Sequence, residues 1–295
     1  MLKRSLVLSS AVALSLKNRQ LVITYKDVPD DKRTVPIEDI GCVLIENQMT
    51  SITMPLINAL ADANVVLIVC DDKSMPNAML QNLNGNTTQG ETLRNQINAG
   101  EVMKKQLWKQ IIEAKIHNQS LLLNKLGKDG NKLKPMYTNV KSGDADNREG
   151  LAARLYWQEM FGESFVRDRN QGGINTLLNY GYSILRAGVA RSIISSGLFP
   201  AIGIFHHNRS NAFPLVDDIM EPYRQYVDEI VYSLYNKGMV TLNQQVKGTL
   251  INVLYCDTQF ERVIRPLSVG LTMTTASLVK CYAKEETKLV FPTMQ

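Results

Sequence analysis

The sequence predicts an α+β protein, with a small N-terminal β-sandwich-like domain followed by a larger all-α C-terminal domain. Short runs with period-two alternation dominate about the first 70 residues, as expected for strands. Long runs with helical spacing begin after residue 90, and a stretch rich in Asn, Gly, Asp and Thr over 71–89 separates the two patterns. A chain of 295 residues is long enough for two domains, and we place the boundary near residue 90.

The N-terminal pattern predicts a β domain with one packed helix. Candidate strands are Ser5–Ser9, Ala13–Lys17, Gln20–Tyr25, Arg33–Pro36, Cys42–Ile45 and the continuous apolar run Val65–Cys70, with a helix over Met54–Ala63. The stretch Ser5–Leu16 resembles a signal peptide, but serines interrupt it and its alternation fits two strands better. No apolar run approaches the roughly 20 residues of a membrane helix. We therefore expect a cytoplasmic protein without membrane contacts.

The remaining chain is dominated by amphipathic helical patterns. They cover Val102–Leu126, Arg148–Phe161, Ile174–Leu185, Ala187–Ser196, Leu215–Asn236 and Ser268–Lys284. The polar, glycine-bearing connection over 126–146 is long enough to predict a flexible or functional loop.

Composition and charge limit the class of protein. Hydrophobic residues make up 44% and charged residues 21%, as in ordinary globular proteins. The four cysteines are scattered without a Cys-x-x-Cys pair, which predicts buried thiols of a reducing compartment and excludes a cysteine zinc site.

The net charge of +5 is unevenly distributed along the chain. Between Arg94 and Lys141, ten lysines and arginines face three acidic residues. A solvated helical face is the simplest explanation for any one lysine. The clustering, with a basic loop over 127–134, favours a surface that contacts phosphates, for which the candidates are Lys125, Lys128, Lys132 and Lys134.

The region 203–224 contains the strongest chemical signal. His206 and His207 are followed by Asp217, Asp218 and Glu221, so two imidazoles and three carboxylates lie within sixteen positions. Imidazole and carboxylate ligands suit Mn²⁺ or Mg²⁺, and the absence of nearby cysteine argues against structural zinc. Since divalent ions neutralise charge that builds on phosphate oxygens, the pattern predicts a metal-dependent enzyme acting on a nucleic acid.

Glu149 is a further candidate ligand. It falls at the centre of the apolar stripe of the helix predicted from Arg148, so its side chain should face the interior. Asp146 or Asn147 is positioned to cap that helix. A glutamate in a first turn is often only a cap or dipole partner. Its inward orientation favours a ligand role, because a buried charge needs a partner.

Pro222 predicts a kink in the helix that carries Glu221. Proline leaves the carbonyl four residues upstream, on Asp218, without its helical donor. Arg224 is placed to pair with Glu221 or to hold a phosphate. Spacing alone does not select between His206 and His207, nor between Asp217 and Asp218, as the group near a metal.

Other catalytic schemes lack their motifs. The chain contains no Gly-x-Ser-x-Gly elbow, no Walker-type loop and no dinucleotide-binding fingerprint.

Several fragments, in order along the whole chain, resemble the CRISPR-associated protein one family, close to the form found in type II systems. The fragments are the opening 3–7, the helix stretch 178–182, His206 with the run 217–224, and the C-terminal stretch 275–280. The resemblance implies the same β-plus-helical fold and an integrase and endonuclease of CRISPR spacer acquisition.

The resemblance also implies site residues and partners. The family's metal ligands, carried over, fall on Glu149, His206 and Glu221, with Asp218, His207, Asp217 and Arg224 in supporting roles and Mg²⁺ or Mn²⁺ as the cofactor. A 3′-hydroxyl of a short DNA duplex would attack a phosphodiester at a CRISPR repeat. Implied partners are a second copy of the chain, a small second adaptation protein and, in type II systems, further adaptation proteins and the effector nuclease. Residues 1–90 would make dimer and partner contacts, and residues 91–295 would form the catalytic domain.

Two alternatives remain open at this point. A stand-alone, structure-selective metal-dependent nuclease would share every catalytic residue. A non-catalytic DNA-binding scaffold would bind DNA through the basic segment without needing a divalent ion.

Overall fold

The protein is mixed α+β, as predicted, with strands over residues 4–80 followed by a mostly helical region. The structure is a computed structural model that describes residues 4–80, 86–206, 208–209 and 211–295. Its strands are β1 (Arg4–Leu8), β2 (Val12–Lys17), β3 (Gln20–Tyr25), β4 (Lys32–Pro36), β5 (Ile40–Ile45), β6 (Ser51–Ile52), β7 (Val66–Cys70), β8 (Pro76–Leu80), β9 (Asp257–Phe260) and β10 (Val263–Pro266). Its α-helices are α1 (Met54–Asp62), α2 (Gln89–Ile97), α3 (Glu101–Lys125), α4 (Lys134–Tyr137), α5 (Arg148–Phe161), α6 (Ile174–Ser195), α7 (Pro214–Met220), α8 (Arg224–Asn236), α9 (Gln244–Ile251) and α10 (Leu267–Tyr282).

The N-terminal strands form two four-stranded sheets. One has the order β1-β5-β7-β8, with β1, β5 and β7 parallel and β8 antiparallel, and the other has the order β4-β3-β2-β6. Side chains from both sheets and from α1 share one hydrophobic cluster. This arrangement agrees with the predicted β-sandwich-like domain and its single packed helix.

A central strand of the first sheet, β5, is buried on both faces. Val43 and Ile45 of β5 join the cluster shared by the two sheets, whereas Cys42 and Leu44 join the cluster of the helical region. Because successive side chains of a strand point to opposite faces, a strand packed on both sides needs an unbroken apolar sequence. The β-rich and helical regions therefore share a core, and the boundary near residue 90 remains a prediction.

A buried ion pair also joins the two regions. Nζ of Lys247, on α9, lies 2.8 Å from Oε1 of Glu46, and the hydroxyl of Ser9 donates to the other carboxylate oxygen at 2.7 Å. Both charged side chains are buried, so each would be costly without the other.

Several elements differ from the sequence-based expectations. The helix predicted as two pieces over 174–196 is the single helix α6. The kink at Pro222, by contrast, is present as predicted, as a 3₁₀ turn over Glu221–Tyr223 between α7 and α8. Strand β8, helix α9 and the β9–β10 hairpin were not predicted, and the hairpin lies within the region expected to be all helical.

Two simpler expectations also have structural outcomes. Cys42, Cys70 and Cys281 are buried free thiols, and Cys256 is a half-buried one. In the described ranges, no helix has the combination of length and apolar character that a membrane span requires.

Candidate active site

A cavity of about 880 Å³ lies among α3, α5, α6, α7 and α8. Glu149, His206 and Glu221, the three predicted metal ligands, all line it. They come from α5, from the loop before α7, and from the 3₁₀ turn at Pro222. The fold thus brings Glu149 into the same cavity as His206 and Glu221, which come more than 50 residues later in the sequence.

Helix α5 begins with two capping side chains, which leave Glu149 available for other contacts. Oδ1 of Asn147, one of the two predicted caps, accepts from the Gly150 amide at 3.2 Å. The Asp144 carboxylate accepts from the amides of Arg148 and Glu149 at 2.8 and 3.1 Å. Since the first-turn donors are already satisfied, capping does not explain why a glutamate stands at position 149.

The Asp218 carboxylate fixes the orientation of His206. Asp218 is fully buried and accepts from the backbone amides of Ile204, Phe205 and His206 at 2.6, 3.1 and 3.2 Å. Its Oδ1 also lies 2.6 Å from Nδ1 of His206. This hydrogen bond raises the pKa of His206, although burial opposes the effect. Because Nδ1 donates to Asp218, Nε2 is the ring atom whose lone pair is available to a metal, as in many metal-binding histidines.

Glu221 is buried beside two cations. The Arg224 guanidinium lies 2.9 Å from Oε1 of Glu221, and Nζ of Lys115 lies 2.6 Å from Oε2. Lys115 also donates to Oε1 of Glu149 at 2.5 Å, so it stands between the two carboxylates. Burial tends to raise the pKa of Glu221, but Arg224 and Lys115 outweigh it and hold that pKa below its ordinary value.

Asp217 and Asp218, adjacent in sequence, have separate roles. Asp217 pairs with Arg186 at 2.8 Å and accepts from the Asn211 side chain at 2.8 Å, on the cavity wall. Asp218 points instead to the backbone of the loop that carries His206. Within the described residues, neither aspartate forms a hydrogen bond or an ion pair with Glu149 or Glu221. His207 lies outside the described residues.

The residues fit a divalent cation in their chemistry, but not as a preassembled cluster. Two carboxylates and an imidazole are suitable ligands for Mn²⁺ or Mg²⁺. Oε2 of Glu221 is buried without an aligned hydrogen bond, although it lies close to the Lys115 ammonium. Across the described ranges, no three His, Cys, Asp or Glu side chains are grouped closely enough to hold a metal as they stand. The Lys115 side chain lies between two of the proposed ligands.

Besides the predicted Arg224, three arginines on the cavity wall were missed by the sequence analysis. Arg167, Arg169, Arg186 and Arg224 all line the cavity. Arg167 donates to the side-chain oxygens of Asn175 and Asn179 at 3.0 and 2.7 Å. Within the described part of the chain it forms no direct ion pair, although the charge of the nearby Asp228 acts on it. The Arg-Asp-Arg run at 167–169, in a loop before a helix, was the available signal.

A buried carboxylate, Asp228, lies deeper in the cavity. It accepts from the hydroxyl of Tyr156 at 2.8 Å and from that of Tyr182. Burial raises the pKa of Asp228 to about 6, and the two tyrosine hydrogen bonds moderate the shift. Its hydrogen bonds connect α5, α6 and α8, and so hold the cavity wall together.

The four lysines predicted to bind DNA lie away from the cavity lining. Lys125 pairs with Glu229 at 2.6 Å and Lys132 with Glu159 at 2.5 Å, so carboxylates partly neutralise them. Lys128 lies over the ring of Tyr232, and Lys134 is exposed near the start of α4. Their role as phosphate contacts remains a prediction, and Lys115 does not belong to an exposed basic face.

Comparison with known proteins identifies the family. A family model described as CRISPR associated protein Cas1 matches residues 6–265. The chain belongs to the Cas1 family. A CRISPR-associated endonuclease Cas1 of Neisseria meningitidis serogroup C (strain 8013) is 40% identical over 263 residues, covering 88% of this chain and 85% of the relative. A second Cas1 endonuclease, of Francisella tularensis subsp. novicida (strain U112), is 25% identical, covering 89% and 85%.

Solved structures share the fold of this Cas1 family member. A casposase bound to integration product has a TM-score of 0.80 at 22% identity, covering 98% of this chain and 92% of the other. A CAS1 protein from Thermotoga maritima has a TM-score of 0.74 at 17% identity, covering 99% and 100%. A Cas6-RT-Cas1–Cas2 complex matches with a TM-score of 0.73 at 21% identity, over 99% of this chain and 36% of that one.

Proposed function

We propose that this Cas1 family member is a divalent-metal-dependent DNA endonuclease and integrase that inserts short DNA fragments into a CRISPR array. The observation that carries the proposal is the meeting of Glu149, His206 and Glu221 in one arginine-lined cavity. The endonuclease names of its Neisseria and Francisella relatives, and the integration product held by a structural neighbour, support it.

The reaction that fits this cavity is a transesterification. The 3′-hydroxyl oxygen of the incoming strand forms a bond to phosphorus, and the bond from that phosphorus to the 3′-oxygen of the target strand breaks. The attacking hydroxyl loses a proton and the departing oxygen gains one. Water in place of the 3′-hydroxyl gives cleavage at the same site. Since one phosphodiester bond replaces another in strand transfer, no external energy source is required.

We assign each residue of the cavity a separate role in this reaction. Glu149, Glu221 and Nε2 of His206 would hold Mg²⁺ or Mn²⁺, which supplies charge neutralisation at the scissile phosphate when bound. Asp218 holds the loop through three backbone amides and orients the imidazole through one hydrogen bond to Nδ1. Arg167 and Arg169 are available for phosphates of the DNA, since arginine binds phosphate oxygens with two donors.

The partners are proposed from the same comparisons. A structural neighbour is a complex that contains Cas2, which supports a small second adaptation protein as partner. We also propose that the protein forms a homodimer and lies in the cytoplasm. Further type II adaptation proteins and the effector nuclease are proposed as additional partners.

A strand-transfer assay tests this function. A labelled short duplex is incubated with a supercoiled plasmid carrying a CRISPR repeat, with Mn²⁺ or Mg²⁺ or with EDTA, and with or without the small partner protein. Label joined covalently to the plasmid only with the divalent ion establishes an integrase. Nicking without joined label, even with the partner present, supports a stand-alone nuclease. DNA binding without any covalent change supports the scaffold.

Replacing Lys125, Lys128, Lys132 and Lys134 together by alanine is expected to weaken DNA binding without changing sequence preference. Each phosphate contact that is lost should lower the salt slope of log affinity by about 1. We expect most of the change from Lys128 and Lys134, because carboxylates already pair with the other two lysines. Fluorescence anisotropy over a range of salt concentrations measures the slope. Alanine at the exposed Lys73 and Lys284 is the control, and an unchanged slope in the fourfold variant excludes this loop as a phosphate contact.

A further inference from the structure

Lys115 occupies the position between the two carboxylates proposed to bind the metal. It is on α3, and its side chain is only 10% exposed. The ammonium lies 2.5 Å from Glu149 and 2.6 Å from Glu221, and these two carboxylates are its ion-pair partners in the described chain. Lys115 extends from α3 to both proposed ligands. Neither helix capping nor a surface ion-pair network explains this position.

The charges of this cluster are balanced by Lys115. Glu149 and Glu221 supply two negative charges, and Lys115 and Arg224 supply two positive ones. If a divalent cation joined these two carboxylates and two side-chain cations, the buried cluster would carry a net charge of about +2. Such an uncompensated charge is unfavourable where solvation is poor. A divalent cation and the Lys115 ammonium are therefore alternative partners for the same carboxylates.

An ammonium that leaves these carboxylates needs a new anionic partner, because an unpaired buried charge is costly. The remaining carboxylates around the cavity are already engaged. Asp217 is held by Arg186 and Asn211, Asp218 by the His206 loop, and Asp228 by two tyrosine hydroxyls. The available anion is a phosphate of DNA that enters the arginine-lined cavity.

From this arrangement, and resting on the proposed function, we propose that Lys115 couples metal binding to DNA binding. The ammonium of Lys115 leaves Glu149 and Glu221 and forms an ion pair with a DNA phosphate. The two carboxylates are then free to bind the divalent cation. The enzyme thus binds its metal tightly only when DNA is present. Linkage requires the reverse as well, so the metal strengthens DNA binding by the same factor.

The test measures Mn²⁺ affinity of the full chain by electron paramagnetic resonance of free Mn²⁺. A short duplex with 3′-dideoxy ends, which cannot be joined, is present or absent, and Mn²⁺ bound by the DNA alone is subtracted. In the wild type, DNA is expected to tighten Mn²⁺ binding by a factor of about 5 to 150, the usual range of coupling between sites. In Lys115→Met, Mn²⁺ should bind more tightly than in the wild type without DNA, and DNA should add little.

Control variants keep the test decisive. Lys109→Met removes a lysine on the same helix, whose partner is the partly exposed Glu113, and should behave as the wild type. Lys115→Gln, which preserves polarity, replaces the methionine variant if circular dichroism shows that the latter is unfolded. Equal Mn²⁺ affinity in the wild type and both Lys115 variants, or an unchanged effect of DNA, overturns the coupling alone. A wild type that binds no Mn²⁺ with or without DNA overturns the proposed metal-dependent function as well.

Discussion

Replacing Glu149 by alanine is expected to lower strand transfer and cleavage by more than about 100-fold, since even residues that only support a metal ligand cost 10- to 100-fold when changed. The carboxylate faces the cavity and contacts Lys115, and the capping of its helix is performed by Asp144 and Asn147. Measured without a divalent ion, DNA affinity should change by less than about threefold, because phosphate contacts dominate that affinity and the variant removes a negative charge. Plasmid assays for chemistry and anisotropy for binding measure the two quantities separately.

Glu163→Ala is the matched control for this experiment. Glu163 follows the same helix but is exposed and outside the cavity lining. It should leave strand transfer, cleavage and binding at wild-type values. Equal loss of chemistry and DNA binding in Glu149→Ala would contradict a catalytic role and would favour a structural one.

Asp218→Ala is expected to destabilise the fold by about 3 kcal/mol or more, because it removes a buried acceptor from three backbone amides and an imidazole. Asp218 is fully buried, so these donors lose their acceptor inside the protein. The His206 ring would also lose the hydrogen bond that orients it, so we expect Mn²⁺ affinity to fall by a factor of about 10 to 100. Urea unfolding measures the stability, and the metal titration measures the second effect.

The neighbouring aspartate provides the comparison. The carboxylate of Asp217 pairs with an arginine that is 38% exposed, so Asp217→Ala should cost no more than about 1 kcal/mol. If Asp217→Ala and Asp218→Ala lowered the free energy of unfolding equally, the proposed support of the His206 loop by Asp218 would be wrong.

Local signals predicted much of the secondary structure. The Asn147 cap, the helix over Arg148–Phe161 and the kink at Pro222 follow from side chains that act on their own backbone within a few residues. Strand β8 was missed because its exposed, irregular sequence becomes a strand only by pairing with β7. Helix α9 was missed for a related reason, since its polar sequence shows little periodicity before it packs.

The candidate site was predicted in part. The three proposed ligands came from residue type, an inward-facing glutamate and a family resemblance, and the fold brings them to one cavity. Lys115 was counted with a basic surface because its charge is visible in the sequence and its burial is not. The division of labour between Asp217 and Asp218 was also undetermined, since two adjacent acids in a first turn look alike until their partners are known.

The sequence by itself determined the periodicities, the caps, the proline kink and the chemical types available for a metal-dependent site. Only the tertiary structure decided that Lys115 lies between Glu149 and Glu221, that Asp218 holds His206, and that arginines surround the cavity. The physical reason is the sequence separation of the interacting groups. Caps and kinks depend on atoms a few residues apart, whereas these ion pairs join different helices, and their partners are fixed by how the apolar faces of those helices pack.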